Sequence, residues 1–202
     1  MIDYKAGNLT SVLKTLKHLG AESVVTDGDL SLVESAERIV LPGVGHFAAT
    51  ERLDATGLTG AIRAAIARGV PFLGICVGMQ WLYAGSTEAP QQPGLGAFSE
   101  SCSRFAESTE KVPHVGWNSL EVKDGSRLLA GVELGEFVYF THSYKGPVTA
   151  DTAAVTQYIE PFAAAVERGN VMGVQFHPEK SGATGLKILR NFLAWAAKGN
   201  PC

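Results

Sequence analysis

Apolar and polar positions follow two different rhythms along this chain. In the first half, strand-length apolar runs are separated by stretches with helical spacing. Met1–Tyr4, Ser23–Thr26, Arg38–Leu41 and Val70–Ile75 read as strands. Leu9, Val12, Leu13, Leu16 and Leu19 fall on one stripe and predict a helix over Asn8–Leu19, with Asn8 as N-cap and Gly20 as its stop. Leu58–Arg68 predicts a second helix that ends at Gly69, and Val77–Tyr83 opens a third. Strands alternating with helices predict right-handed crossovers and a parallel sheet. The second half has a shorter period. Phe98–Phe105, Asn118–Val122, Phe137–Phe140, Ala153–Gln157, Ala163–Glu167 and Val171–Phe176 predict strands joined by short turns, an antiparallel extension of that sheet. Gly185–Lys198 closes the chain as an amphipathic helix. The expected architecture is a three-layer α/β fold, with a mixed, mostly parallel central sheet flanked by helices. One domain is expected to span residues 1–202, since no repeat, linker or low-complexity tract divides them.

Composition narrows the classes of function. Hydrophobic residues make up 46% and charged residues 18%, and 17 basic against 20 acidic side chains leave a net charge of −3 without charge blocks. Neither a nucleic-acid footprint nor a polybasic membrane patch is present. The longest apolar runs are too short to span a bilayer, and Met1–Lys5 lacks the pattern of a secretory signal. Cys76, Cys102 and Cys202 are odd in number and widely spaced. That argues against a disulfide framework or a structural zinc site and for a reducing cytoplasm.

One of these cysteines sits in a pattern that carries chemistry. Pro71-Phe72-Leu73-Gly74-Ile75-Cys76-Val77-Gly78-Met79-Gln80 is an apolar strand, then G-x-C-x-G, then a helix start. Glycines two before and two after the thiol allow the sharp turn of a nucleophile elbow, with the side chain exposed at the end of the strand. The helix start favours the thiolate, and the Val77 N–H is a candidate oxyanion donor. A second strand ends in Gly173-Val174-Gln175-Phe176-His177-Pro178-Glu179. In extended backbone, residues i and i+2 point to one side, so Glu179 can orient His177 as the base that accepts a proton from Cys76. A third strand ends in Leu41-Pro42-Gly43-Val44-Gly45. Its glycine-flanked backbone suits an anion, either as a phosphate cradle without the P-loop lysine or as a second oxyanion donor through Val44 or Gly45.

These three pieces together resemble the triad glutamine amidotransferases. Further stretches are similar to the glutaminase subunits of imidazole glycerol phosphate synthases: Ile2-Asp3-Tyr4 with Gly7-Asn8-Leu9, Pro113-His114-Val115-Gly116-Trp117-Asn118, and Tyr139-Phe140-Thr141-His142-Ser143-Tyr144. The run Gln175 to Ser181 completes the set, and the stretches follow the family's order over essentially the whole chain. The resemblance implies hydrolysis of glutamine to glutamate and ammonia through a Cys76 thioester, without organic cofactor or metal. It implies a heterodimer with a (β/α)₈ cyclase. The cyclase would use the ammonia to form imidazole glycerol phosphate and aminoimidazole carboxamide ribonucleotide in histidine biosynthesis. Gln80 resembles the family's glutamine-binding position, with backbone from Gly43 and Gly45 beside it.

Free ammonia in neutral water becomes ammonium and ceases to be a nucleophile, so the partner is expected to cap the site. Trp117, Tyr139, His142, Tyr144 and Lys180 are the residues suited to that interface, Trp and Tyr being common anchors; the alternative makes Trp117 and Tyr139 core aromatics. Two departures from the family pattern stand out. The first strand begins almost at Met1, where the family carries a few more apolar residues, which implies a short strand or a start codon placed too far downstream. His46 follows the PGVG loop where a small residue is usual, and reads as a solvent-facing helix-start residue. A redox-sensing relative of the same elbow would lack the His-Pro-Glu unit. A metal hydrolase built on His114, His142 and His177 has no ligand spacing behind it, and His114 and His142 read more economically as hydrogen-bonded interface or core histidines. Another biosynthetic glutaminase, such as that of anthranilate synthase, would carry a Gly-Pro-Gly style loop.

Overall fold

The computed structural model describes residues 1–7 and 9–195. Helix α1 (Leu9–His18) and the short α2 (Leu30–Glu34) precede strand β1 (Ile39–Gly43). A 3₁₀ turn, Phe47–Thr50, leads into α3 (Glu51–Ala55) and α4 (Leu58–Ala67). Strand β2 (Phe72–Cys76) passes directly into α5 (Val77–Gln80). Then follow β3 (Gly85–Ser86), β4 (Ser101–Arg104), β5 (His114–Ser119), β6 (Glu121–Val122), β7 (Phe137–His142) and β8 (Tyr144–Lys145). Strands β9 (Thr152–Gln157), β10 (Pro161–Arg168) and β11 (Val171–Val174), a 3₁₀ turn at Pro178–Lys180 and α6 (Gly182–Leu193) complete the described chain.

The central sheet has six strands in the order β1-β2-β11-β10-β9-β6 and is flanked by helices. Strands β1, β2 and β11 run parallel, whereas β10, β9 and β6 are antiparallel. Less of the sheet is parallel than the alternation of the first half predicts, because Met1–Tyr4 and Ser23–Thr26 form only an isolated bridge outside it. Short turns after Gln157 and Arg168 leave no room for a crossover helix, so those strands fold back as hairpins. Strands β5 and β7 form a separate two-stranded sheet, and β3, β4 and β8 another. The apolar residues of β1, β2 and β11 are buried along their whole length, as expected of strands covered on both faces.

Parallel register is what assembles the site. Gly43 lies opposite Cys76 and Val174 opposite Ile75. The C-terminal ends of β1, β2 and β11 therefore meet at one edge of the sheet, where open α/β sheets take their ligands. Whatever follows those strands converges there: Val44-Gly45, Val77–Gln80 and Gln175–Glu179.

Several elements differ from the pattern reading. Met1–Tyr4 and Ser23–Thr26 meet in a single parallel bridge, Ile2 to Thr26, with the Ile2 N–H donating to the Val40 carbonyl at 3.0 Å. Phe98–Phe105 contracts to β4. The strand placed at Asn118–Val122 starts earlier, at His114, and breaks at the fully buried Leu120, where the chain leaves β7 to join β9. Helices α2 and α3, of five residues each, are too short to show a periodic stripe. The closing helix begins at Gly182 and ends at Leu193. The proposed Asn8 cap and the final turn to Lys198 lie outside the described residues. Among the described residues no helix is long and apolar enough to cross a membrane.

The elbow imposes the tightest steric demand. A β-carbon on Gly78 would lie 1.9 Å from the Leu41 carbonyl oxygen, and one on Gly74 2.3 Å from that of Gly78. Both obstacles are backbone and cannot rotate away. Gly78→Ala is expected to destabilise by about 1–3 kcal/mol, the range for overpacking, and so to lower the thermal midpoint by roughly 2–4 °C per kcal/mol. Gly60→Ala is the control, because its β-carbon would meet open space within α4. Equal midpoints for the two variants would refute the packing argument.

Candidate functional site

Cys76 occupies a backbone conformation that side-chain-bearing residues rarely adopt, φ 55° and ψ −110°. Such strain persists where the surroundings over-determine it. Here β2 holds Cys76 on one side, and α5, pressed against β1 through Gly78, holds it on the other. The helix that follows is a single turn, so its dipole aids the thiolate less than a full helix would. The sulfur lies 4.0 Å from the Thr141 carbonyl and 3.6 Å from the Gln175 side-chain nitrogen.

His177 and Glu179 form the expected pair. The His177 Nδ1–H donates to Glu179 Oε1 at 2.9 Å, and both side chains are buried. The geometry is not the extended one: His177 is extended, but Pro178–Lys180 is a 3₁₀ turn, and the carboxylate reaches the ring across it. The turn is pinned by the Ser181 hydroxyl, which donates to the His177 carbonyl and accepts from the Tyr139 N–H. The His177 N–H donates to the Tyr139 carbonyl. The second ring nitrogen, Nε2, is buried without a hydrogen-bond partner. Burial pulls the pKa of this ring down, but Cys76 and Glu179 outweigh it and hold it up at about 9. Cys76 acts on the ring without a formed hydrogen bond between them, a looseness common in unliganded sites.

Cys76 opens into a pocket of about 220 Å³ lined by Val44, Gly45, Val77, Gln80, Glu88, Pro113 and the Thr141–Tyr144 segment. It is smaller than the roughly 300–1,000 Å³ of drug-sized sites and suits a single amino acid. Of the two loop donors, Val44 is engaged: its N–H donates to the Ala6 carbonyl at 2.7 Å. Gly45 is exposed at φ 87°. Gly43 admits no side chain, since a β-carbon there would lie 2.1 Å from the Tyr4 hydroxyl, itself buried and unpartnered. Gln80 is buried with both amide protons committed, one to the Tyr144 carbonyl and one to Gln175. Its oxygen is the part left for a substrate. A larger cleft of about 570 Å³, lined by Ile39, Val33 and Phe192 among others, shares no residue with this pocket and has no cysteine among its described residues.

The sequence profile of the glutamine amidotransferase class-I family matches residues 1–195. This chain belongs to that family. It is 46% identical over 196 residues to the imidazole glycerol phosphate synthase subunit HisH of Deinococcus radiodurans, covering 95% of this chain and 91% of the relative. The HisH subunit of Aquifex aeolicus is 43% identical over 202 residues, with 98% and 97% covered. Among solved structures, a glutamine amidotransferase superposes with a TM-score of 0.74 at 20% identity, covering 95% of each chain. PurLQS from Thermotoga maritima gives 0.73 at 21% identity, also covering 95% of each. At these identities the structures speak for the fold.

Other candidate residues of this amidotransferase lie at different depths. Trp117, 55% exposed on β5, packs edge-to-face on Tyr139, whose ring lies 5.7 Å from the Lys180 ammonium. With exposed Val115 and Phe137 they make an apolar face on the β5–β7 hairpin. Trp117 is therefore not a core aromatic. His142, expected as an interface or core histidine, is not at the surface: it is 6% exposed and enclosed by Phe105, Phe140 and Phe162. Tyr144 is half-buried on the pocket wall. His46 caps the Phe47–Thr50 turn by accepting from the Ala48 N–H. Sequence reasoning missed Glu88, Thr141, Ser143 and Gln175. A signal existed for Gln175 alone, two residues before His177 on an apolar strand, where it shares the base's side of the sheet.

His114 and His142 bond to each other at 3.2 Å, and no group of three metal-ligating side chains occurs among the described residues. Burial lowers the His114 pKa to about 4 and the His142 pKa to about 3. Unfolded, both rings titrate near 6.5. Between those limits the unfolded chain binds protons that the fold refuses, so stability is full above pH 6.5 and falls as pH drops through the window. His177 runs the other way: its contribution is full below pH 6.5 and is lost as pH rises through 9. In urea unfolding at pH 7, 5.5 and 4.5, the parent amidotransferase is expected to lose more stability on acidification than His142→Gln. Parallel losses would mean that the buried rings carry protons in the fold.

Proposed function

We propose that this chain, acting as one amidotransferase domain, hydrolyses glutamine to glutamate and ammonia and delivers the ammonia to a cyclase subunit. Cys76 attacks the side-chain amide as a thiolate, and His177, oriented by Glu179, gives its proton to the departing ammonia. Water, activated by the same ring, then cleaves the thioester. The observation that carries this reading is the strained Cys76 beside the His177–Glu179 pair, which is bonded at 2.9 Å. It sits in a chain 46% identical to a HisH subunit over nearly its whole length. Glu88 and the Gln80 oxygen, both lining the pocket, suit the α-ammonium of a free amino acid. Free thiols at Cys76 and Cys102 fit a reducing cytoplasm.

Oxyanion stabilisation needs two N–H groups. Val77 supplies one, as the first residue of α5, where no intrahelical partner is available. The second comes from the loop, through Gly45 or through Val44 once its N–H leaves the Ala6 carbonyl. A peptide flip at glycine-flanked Val44 is sterically cheap, and a partner that binds the flipped form better would drive it. Shielding of the pocket from water is the other way for a partner to couple the two activities.

The partner is a (β/α)₈ cyclase forming imidazole glycerol phosphate and aminoimidazole carboxamide ribonucleotide from a phosphoribulosyl-formimino precursor in histidine biosynthesis. The exposed Trp117–Tyr139–Lys180 cluster, with Val115 and Phe137, is the surface that best suits docking. Cys76→Ala is expected to abolish glutamine-dependent turnover of the complex while ammonia-dependent turnover persists; loss of both would make Cys76 structural. Glutaminase turnover is expected to be weak for the isolated chain, and to rise strongly only when cyclase and its nucleotide are both present. Equal rates for free chain, binary complex and liganded complex would sink the coupling while leaving the triad untouched.

A further inference from the structure

One line of hydrogen bonds links the pocket wall to the nucleophile, and its polarity follows from the groups in it. The Tyr144 carbonyl can only accept. It takes one bond from the His142 Nδ1–H at 2.8 Å and one from the Gln80 Nε2 at 3.0 Å. This fixes which end of the Gln80 amide is nitrogen. The second Gln80 proton then points at Gln175 Oε1, at 3.1 Å. Gln175 cannot turn over without setting two N–H groups face to face, so its own Nε2 is held toward the Cys76 sulfur at 3.6 Å. Gln175 is fully buried, and its backbone N–H is fixed by the Ala164 carbonyl, so the amide has neither water to compete for it nor freedom to move.

We propose that Gln175 is a further catalytic residue, whose carboxamide N–H donates to the Cys76 sulfur and stabilises the thiolate. Gln80 is its positioning residue, acting through Gln175. The proposal rests on the reading of Cys76 as the nucleophile. A donor bonded to the charged form of an acid favours that form, and bonds to an ionised acceptor are about twice as strong as neutral ones. A single-turn helix supplies little of that stabilisation, so a fixed donor at the sulfur has a definite task. The same arrangement aims the reacting lone pair. With one side of the sulfur bonded to Gln175, the opposite side is left toward the pocket.

The test is alkylation of Cys76 by iodoacetamide in the full chain, followed by mass spectrometry across a pH series. Gln175→Leu removes the donor. The midpoint of the pH–rate profile is expected to move up by about one unit, with roughly tenfold slower alkylation near neutral pH, the equivalent of one charge-assisted bond. In the cyclase complex kcat for glutamine falls by a similar factor with little change in KM, because the lost bond serves the nucleophile and not the substrate. A folded Gln175→Leu with an unmoved midpoint overturns the proposal. Should that variant fail to fold, Gln175→Glu decides. It keeps an acceptor for Gln80 but presents an oxygen to the sulfur, and is expected to move the midpoint up; an unshifted profile again overturns the idea. A parent chain alkylated elsewhere than at Cys76 overturns the nucleophile itself, a result distinguishable from normal Cys76 labelling with indifferent Gln175 variants.

Discussion

Gly78 and the Leu41 carbonyl approach so closely that no β-carbon fits between them, and this one contact organises the rest. It draws the turn after β2 down onto β1. With Gly74 pressed beneath Gly78, the chain can reverse from strand to helix within one residue, and that residue is Cys76. The left-handed strain at the thiol is the result of this closure. So is the adjacency of Gly43 to Cys76 in the β1–β2 register, which sets the glycine-flanked loop beside the thiol.

A second set of bonds ties His177 to a different sheet. His177 donates to the Tyr139 carbonyl, and Ser181 joins the Tyr139 N–H to the His177 carbonyl. His177 thus hangs from the β5–β7 sheet as firmly as from the end of β11. The exposed face of that hairpin carries Trp117, Val115 and Phe137, and its inner side carries the His114–His142 pair. A two-stranded sheet that meets solvent on one face and holds His177 along the edge of β7 is a short path from the surface to the Cys76 pocket. Energy travels along such a path where the element has two arrangements of different partner affinity.

Much of this was legible in the sequence where the constraint is local. Glycine spacing around Cys76 implies the elbow because the clash it avoids lies within the turn and its neighbouring strand. His177 and Glu179 were legible as a pair because two residues separate them, although the backbone between them is turned and not extended. Contacts across long separations were not legible. Glu88 enters the pocket region because its carboxylate accepts the Phe47 N–H, 41 residues away, and no periodicity marks that bond. His142 has the composition of an interface residue, yet burial among three phenylalanines makes it a neutral member of a hydrogen-bonded line. The break at Leu120 escaped notice because an apolar residue continues a strand pattern equally well in either of the two sheets it joins.

The bond from the Val44 N–H to the Ala6 carbonyl sets a scale for leakage. One backbone hydrogen bond contributes about 0.5–1.5 kcal/mol net, so on its own it biases the loop by no more than about tenfold. A loop restrained only by that bond would idle in its released form about a tenth of the time. Tighter idling requires a second restraint. Tyr4, whose buried hydroxyl lies beneath Gly43 without a partner, is in place to accept or donate as the loop changes shape. The resting balance of the loop would then be decided beneath it, by groups outside the Cys76 pocket.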